Sequence, residues 1–224
     1  MKDQHSYVME IYQTLLEHFG PRGWWPGDSR LEIIIGAVLT QAVAWRNVKK
    51  AIDNLKEKQL IDINRLAEIP GAELAELIKP ALYHRQKAKK LKAVISFITR
   101  EYNQNVDLLF NESLAELRPK LLAVWGIGPE TADSILLYAG SKKTFVVDTY
   151  TCRIFSRLGI VPENISYHEM QEFMQKHVDP DIDIYNEYHA LLVALGANYC
   201  KKNRPRCHQC PIVNFCKHKT GLQE

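Results

Sequence analysis

The sequence predicts an all-α fold, and three observations carry that prediction. Apolar residues recur at three- and four-residue spacing along most of the chain. Ser, Gly and Pro signals open or close those stretches. The one strand-like run, Thr144-Phe145-Val146-Val147, has no partner run and reads as an extended connector. Residues 6–19 begin the series, with Val8, Ile11, Tyr12, Leu15, Leu16 and Phe19 at helical spacing until Gly20-Pro21 stops them. Residues 29–40 and 43–57 form the next two helices, the first apolar on most sides and therefore central to a bundle. Asn64 caps a short helix ending near Pro70-Gly71, and residues 72–78 give another that halts before Pro80. Residues 84–101 set Ala88, Leu91, Val94, Ile95 and Ile98 beneath a cationic face. Residues 113–118 and 119–125 lead into a Gly-Ile-Gly corner, and 129–139 leave it. Helix returns over 149–158 with Gly159 as its C-cap, then from the Ser166-x-x-Glu169 capping box to about His177, and over 184–199 into Cys200. The expected arrangement is two lobes with a groove between them: residues 28–140 as one bundle, and residues 1–27 plus 141–224 as the other.

With 224 residues and 46% hydrophobic content, the chain can bury one large core or two small ones. Its apolar run at 31–40 is too short to span a bilayer. The N-terminus lacks the basic-then-apolar order of a signal peptide, so a cytoplasmic protein is expected. The net charge of +3 says little about partners; its distribution says more. Residues 84–92 carry Arg85, Lys87, Lys89, Lys90 and Lys92 with no acid, and residues 200–219 carry Lys201, Lys202, Arg204, Arg206, Lys217 and Lys219, again with none. Such segments either neutralise phosphates or form solvated helix faces.

Gly126-Ile127-Gly128 is too short for side-chain recognition but suited to offering backbone N–H groups to a phosphate. Both glycines can take a positive φ and admit a close backbone, and Pro129 is favoured at the first helical position. The following helix then directs its positive end at an anion held in the turn. The simpler reading is an αα-corner turned by two glycines. Asp148 stands beyond this corner, and on its own it reads as an N-cap for the helix starting at Thr149.

Four of the five cysteines form Cys200-x6-Cys207-x2-Cys210-x5-Cys216, which in a reducing compartment points to a metal site rather than a disulfide framework. Four thiolates in a compact loop can surround one 4Fe–4S cube. They could also hold zinc, although zinc ribbons use two tight Cys-x2-Cys pairs and only one occurs here. Cys152 stands apart as a small hydrophobe.

The hairpin, the Asp148 that follows it and the cysteine spacing together resemble the helix-hairpin-helix DNA glycosylases of the endonuclease III superfamily, and the resemblance covers most of the chain. It implies a two-lobed helical enzyme, a monomer, that binds double-stranded DNA containing damaged bases and flips the damaged base out of the stack. It assigns Gly126, Ile127, Gly128 and Thr131 to DNA contact, Gln41 to the gap left by the extruded nucleotide, Lys201, Lys202, Arg204 and Arg206 to a DNA-facing loop, and Cys200, Cys207, Cys210 and Cys216 to one 4Fe–4S cluster. Asp148 matches the family's catalytic aspartate, whose carboxylate lowers the barrier as positive charge builds on the sugar.

Glu130 departs from the pattern of the bifunctional members, which carry a lysine here that attacks C1′. A carboxylate cannot form an imine, so the expectation is water as nucleophile and no lyase step. Glu130 then reads as a helix-dipole residue or a second general base. The branch of bacterial 3-methyladenine glycosylases shares this Glu together with a Trp-Trp-Pro loop and an early aromatic, matched here by Trp24, Trp25, Pro26 and Trp45. Indole faces suit a base made cationic by alkylation; the simpler reading makes two or three of these four positions core, Trp25 among the candidates. The lead expectation is a monofunctional alkylpurine glycosylase. The alternatives are a bifunctional enzyme acting on oxidised pyrimidines and a non-catalytic binder of DNA structure.

Overall fold

The computed structural model describes residues 3–218, so Lys219 lies outside the described residues. Twelve α-helices follow one another among these: α1 (Gln4–Phe19), α2 (Arg30–Leu39), α3 (Trp45–Glu57), α4 (Ile63–Glu68), α5 (Gly71–Leu77), α6 (His84–Tyr102), α7 (Val106–Asn111), α8 (Leu114–Ala123), α9 (Pro129–Ser134), α10 (Thr149–Leu158), α11 (Tyr167–His177) and α12 (Ile182–Asn198). No strand occurs among the described residues, and none of their helices is long and apolar enough to cross a membrane. The chain divides into two units, Trp25–Lys142 and Met1–Trp24 with Lys143–Glu224.

In the first unit α2 is central, as its composition predicts: Ile34, Ile35, Val38 and Leu39 are fully buried and the helix packs on α3 and α6. Ser29 caps it, accepting from the Glu32 N–H at 3.2 Å, while buried Glu32 is paired with Lys56 at 2.8 Å. The helices flanking the hairpin are locked by an ion pair that the sequence reading did not use. Asp133 on α9 is fully buried and takes a two-pronged contact from Arg118 on α8, Nε to Oδ1 at 2.7 Å and an Nη to Oδ2 at 2.9 Å.

Four expectations about elements need correction. Asp62 rather than Asn64 caps α4, because the Asp62 carboxylate reaches the Arg65 N–H at 2.9 Å. Residues 113–123 do not break at Pro119: the Ser113–Glu116 capping box holds the first turn, and α8 continues past the proline at the loss of one backbone bond. The stretch 129–139 is α9 followed by a π-helical turn, Ile135–Ala139. Of the two hairpin glycines only Gly126 has a positive φ, +82°; Gly128 is extended at φ −95° and serves as the N-cap of α9.

Lys87 is buried inside this unit, its Nζ donating to Leu39 O and Ala81 O, each at 2.7 Å. Burial, with a smaller contribution from the Lys90 charge, pushes its pKa down to about 8. A neutral amine has two N–H groups, which matches the two carbonyls it meets. In the unfolded chain the same lysine stays protonated to about pH 10.4. Between about pH 8 and 10 the unfolded state therefore holds a proton that the folded state has released, and stability rises with pH across that window by on the order of 3 kcal/mol. Urea unfolding of wild type and Lys87→Met at pH 7 and pH 9.5 checks this: wild type gains relative to the variant at the higher pH, and parallel behaviour would refute it.

In the second unit α1 packs on α11 and α12, and the Tyr188 hydroxyl donates to Val8 O at 2.9 Å. The Thr144–Val147 run is a buried connector, and side chains of α11 serve its backbone in place of a partner strand. The Phe145 N–H donates to Gln175 Oε1 at 3.2 Å, and Phe145 O accepts from Gln171 Nε2 at 2.7 Å. These bonds deliver the chain to Asp148 at the start of α10. Close packing of α10 on α12 requires Gly196, where a Cβ would lie 2.2 Å from the Tyr150 ring. Gly159 ends α10 at φ +74°, as expected of a C-cap.

Candidate active site

The hairpin, in the first unit, is held from one side by Gln41. Its Nε2 donates to Gly126 O at 3.2 Å and to Thr131 Oγ1 at 2.9 Å, and its Oε1 accepts from Lys90 Nζ. Gly126 is required here twice over: by its φ, and because a Cβ would lie 2.5 Å from Lys90 Cγ. Ile127 is buried and anchors the corner in the core, Thr131 is buried beside Gln41, and Trp125 on the N-terminal side of the corner is 57% exposed. Gln41 follows the C-cap Thr40 and precedes Ala42, whose φ of 54° marks a tight turn. Glu130 is exposed at the second position of α9.

Trp25 and Trp45, also in this unit, meet edge to face with ring centroids 5.3 Å apart, and Trp25 packs on Tyr138 at 5.2 Å. Both tryptophans are half-buried against the core, and a Cβ at Gly36 would lie 2.9 Å from Trp25 Nε1. Pro26 is exposed, and half-buried Trp24 belongs to the second unit. Tyr138 was missed in the sequence because it sits in a continuous apolar run, where an aromatic reads as core.

In the second unit Asp148 caps α10. Its Oδ1 accepts from the Thr151 N–H at 2.7 Å and from Thr151 Oγ1 at 2.9 Å, while Oδ2 faces His189 Nε2 at 3.7 Å. The two side chains are 12% and 8% exposed. Burial raises the Asp148 pKa, but the His189 and Thr151 interactions outweigh it and hold the carboxyl below the ordinary aspartate range. The group is therefore a preformed carboxylate at a helix N-terminus, with one oxygen fixed by the cap and the other turned to an imidazole. His189 was also missed; its only sequence signal is a lone titratable residue inside the apolar stretch of α12.

The four cysteines of the C-terminal loop, Cys200, Cys207, Cys210 and Cys216, line one pocket. An Arg157 Nη approaches Cys200 Sγ at 3.4 Å, and the same guanidinium binds Lys201 O at 2.7 Å and Lys202 O at 2.9 Å. Arg153 adds a bond to Cys200 O at 2.9 Å, so α10 fixes the loop as well as Asp148. Burial pushes the Cys210 thiol up to about 11 and also raises Cys216. Among the described residues no three His, Cys, Asp or Glu side chains close on a position that could hold a single metal ion. Lys202, Arg204 and Arg206 are exposed on this loop and Lys201 is half-buried. Cys152 is half-buried.

Residues 35–180 match the family described as HhH-GPD superfamily base excision DNA repair protein. A chain of Methanocaldococcus jannaschii described as a candidate DNA repair glycosylase is 41% identical over 219 residues, 97% of this chain and 99% of that one. Endonuclease III of Sulfolobus acidocaldarius is 29% identical over 186 residues, 83% of this chain and 80% of that one. Among solved structures, an H. pylori 3-methyladenine DNA glycosylase bound to 1,N6-ethenoadenine has a TM-score of 0.75 at 30% identity, covering 86% of this chain and 96% of that one. A trapped endonuclease III–DNA covalent intermediate reaches a TM-score of 0.83 over 98% of each chain at 21% identity, a likeness of fold. The family match spans most of the chain and the Methanocaldococcus relative covers nearly all of it, so this protein belongs to the HhH-GPD superfamily of base excision DNA repair proteins.

Proposed function

We propose that this chain is a monofunctional DNA glycosylase that hydrolyses the N-glycosidic bond of a flipped, alkylated purine in duplex DNA, with 3-methyladenine the expected base. The observation that carries the reading is the Asp148 carboxylate, ionised and oriented by Thr151 and His189, in a chain whose family lysine position holds Glu130. Departure of the base leaves positive charge on the sugar. A fixed carboxylate stabilises that charge and can accept a proton from the attacking water. His189 is a positioning residue that keeps the second carboxylate oxygen in place. Trp25 and Trp45 supply aromatic surface, with buried Tyr138 packed on Trp25, and stacking with cation–π attraction favours an alkylated, cationic base by about 1–3 kcal/mol at a desolvated site. The H. pylori enzyme at 30% identity supports the alkylpurine assignment.

The cofactor we propose is one 4Fe–4S cluster held by Cys200, Cys207, Cys210 and Cys216. The donor set fits: four sulfurs line one pocket, Tyr199, Pro205 and Val213 line it beside them, and Arg157 offers an N–H to a ligating sulfur. A tetrahedral zinc ion with bonds of about 2.3 Å needs its sulfurs within about 4 Å of one another. Zinc ribbons use two tight Cys-x2-Cys pairs and this loop has one, Cys207-x2-Cys210, which favours the cube. When bound, the cluster supplies cross-links within the loop that carries Lys202, Arg204 and Arg206, and no step of base removal is routed through it. The proposed protein is a cytoplasmic monomer.

Borohydride trapping on duplexes carrying alkylated or oxidised bases tests the monofunctional reading. The expected result is base release with no covalent adduct and no strand break beyond spontaneous loss at abasic sites. An adduct would point to an endonuclease III-like lyase. No release from any duplex would point to a binder of DNA structure.

A further inference from the structure

The five cations of residues 84–92 do different jobs in the fold. Lys87 is buried on two carbonyls, Lys90 holds Gln41, and Lys92 donates to Ala67 O at 2.8 Å. Arg85 and Lys89 are exposed on α6, and among the described residues neither side chain has a hydrogen bond or an ion pair. Both line a groove of about 650 Å³ between α5 and α6, together with Lys92. Its floor is made of small residues, Gly71, Ala72, Ala75 and Ala88, and its one acid, Glu76, is paired with Lys79 at 3.3 Å. Small side chains let a bulky backbone approach, and the two cations without partners leave the groove with uncompensated positive charge.

From this arrangement we infer that the α5–α6 groove is a second phosphate-binding station, taking the sugar-phosphate backbone of duplex DNA on Arg85 and Lys89, separate from the Gly126–Gly128 hairpin. The inference rests on the DNA glycosylase reading. Each phosphate neutralised by a cation steepens the fall of log Kobs with log salt by about 0.9 in duplex DNA. Two contacts therefore contribute about 1.8 to the slope. Their loss weakens binding without touching the chemistry, since neither residue approaches Asp148 in sequence or shares its unit.

The test measures duplex affinity from 50 to 300 mM salt for wild type, Arg85→Ala/Lys89→Ala and Arg85→Lys/Lys89→Arg, with single-turnover base release at saturating protein. The expected result is a slope shallower by about 1.8 in the alanine pair, restored by the charge-conserving pair, with the saturated rate unchanged and the half-saturating concentration raised. An unchanged slope in the alanine pair, with wild type binding duplex normally, overturns the groove assignment alone. Failure of wild type to bind any duplex overturns the glycosylase reading on which it rests.

Discussion

Asp148→Asn is expected to lower single-turnover base release by roughly 10²–10³-fold while leaving the chain folded. Asn caps a helix about as well as Asp, and its side-chain oxygen can keep the bonds from the Thr151 N–H and Oγ1 that Asp148 Oδ1 accepts now. What disappears is the negative charge that faces His189 at 3.7 Å and that the proposed mechanism sets beside the sugar. Stability should change by about 1 kcal/mol or less at neutral pH. The carboxyl is held below the ordinary aspartate range, so its stabilising contribution is present above that range and lost as pH falls through its lowered pKa. The Asn variant lacks that acid-dependent loss, and its melting temperature should converge with wild type at low pH. Base release by the Asn variant at the wild-type rate would rule out the carboxylate's role.

Cys210→Ser is expected to abolish stoichiometric iron and sulfide and to destabilise the second unit by several kcal/mol. Metal binding by a site absent from the unfolded chain is folding free energy. The loop has little else to hold it: between Cys200 and Cys216 lie two single 3-10 turns, Cys207–Gln209 and Val213–Phe215, and one buried apolar side chain, Ile212. Its other ties include the Arg157 bonds to Lys201 O and Lys202 O, the Arg153 bond to Cys200 O at 2.9 Å, the Arg206 N–H on Tyr199 O at 2.9 Å and the Tyr7 hydroxyl on Phe215 O at 2.9 Å. Loss of the cross-links should also cost duplex affinity, because Lys202, Arg204 and Arg206 ride on this loop. Cys152→Ser serves as the control and should keep full iron content. Iron analysis with thermal melts of both variants checks this, and wild-type protein melting like Cys210→Ser, with no iron in either, would contradict it.

The longer helices were legible because each buries a periodic face, and α2 in particular could be placed at the centre from composition alone, whereas the six-residue α7, Val106–Asn111, is too short to show a period and was not read in the sequence. Capping boxes at Ser113 and Ser166, and the Gly159 C-cap, are local chemistry and can be read locally. The choice of Asp62 over Asn64 was not legible, since both residues cap well and only the approach of the chain decides between them. The site divides along the same line. Asp148, Gln41 and the cysteines stand at recognisable positions in motifs. Their partners His189, Lys90 and Arg157 come from distant segments, and pairing across the fold leaves no trace in spacing. The buried Asp133–Arg118 pair is the clearest instance: Asp133 lies inside the hairpin motif and reads as a surface residue of an amphipathic helix until Arg118 is placed beside it.

The most direct measurement is chromatographic identification of the bases freed by wild-type protein from methylated and from oxidised duplex DNA of the same sequence. Release of 3-methyladenine from the methylated duplex, with little from the oxidised one, is the expected result. Free oxidised pyrimidine in place of alkylpurine would contradict it.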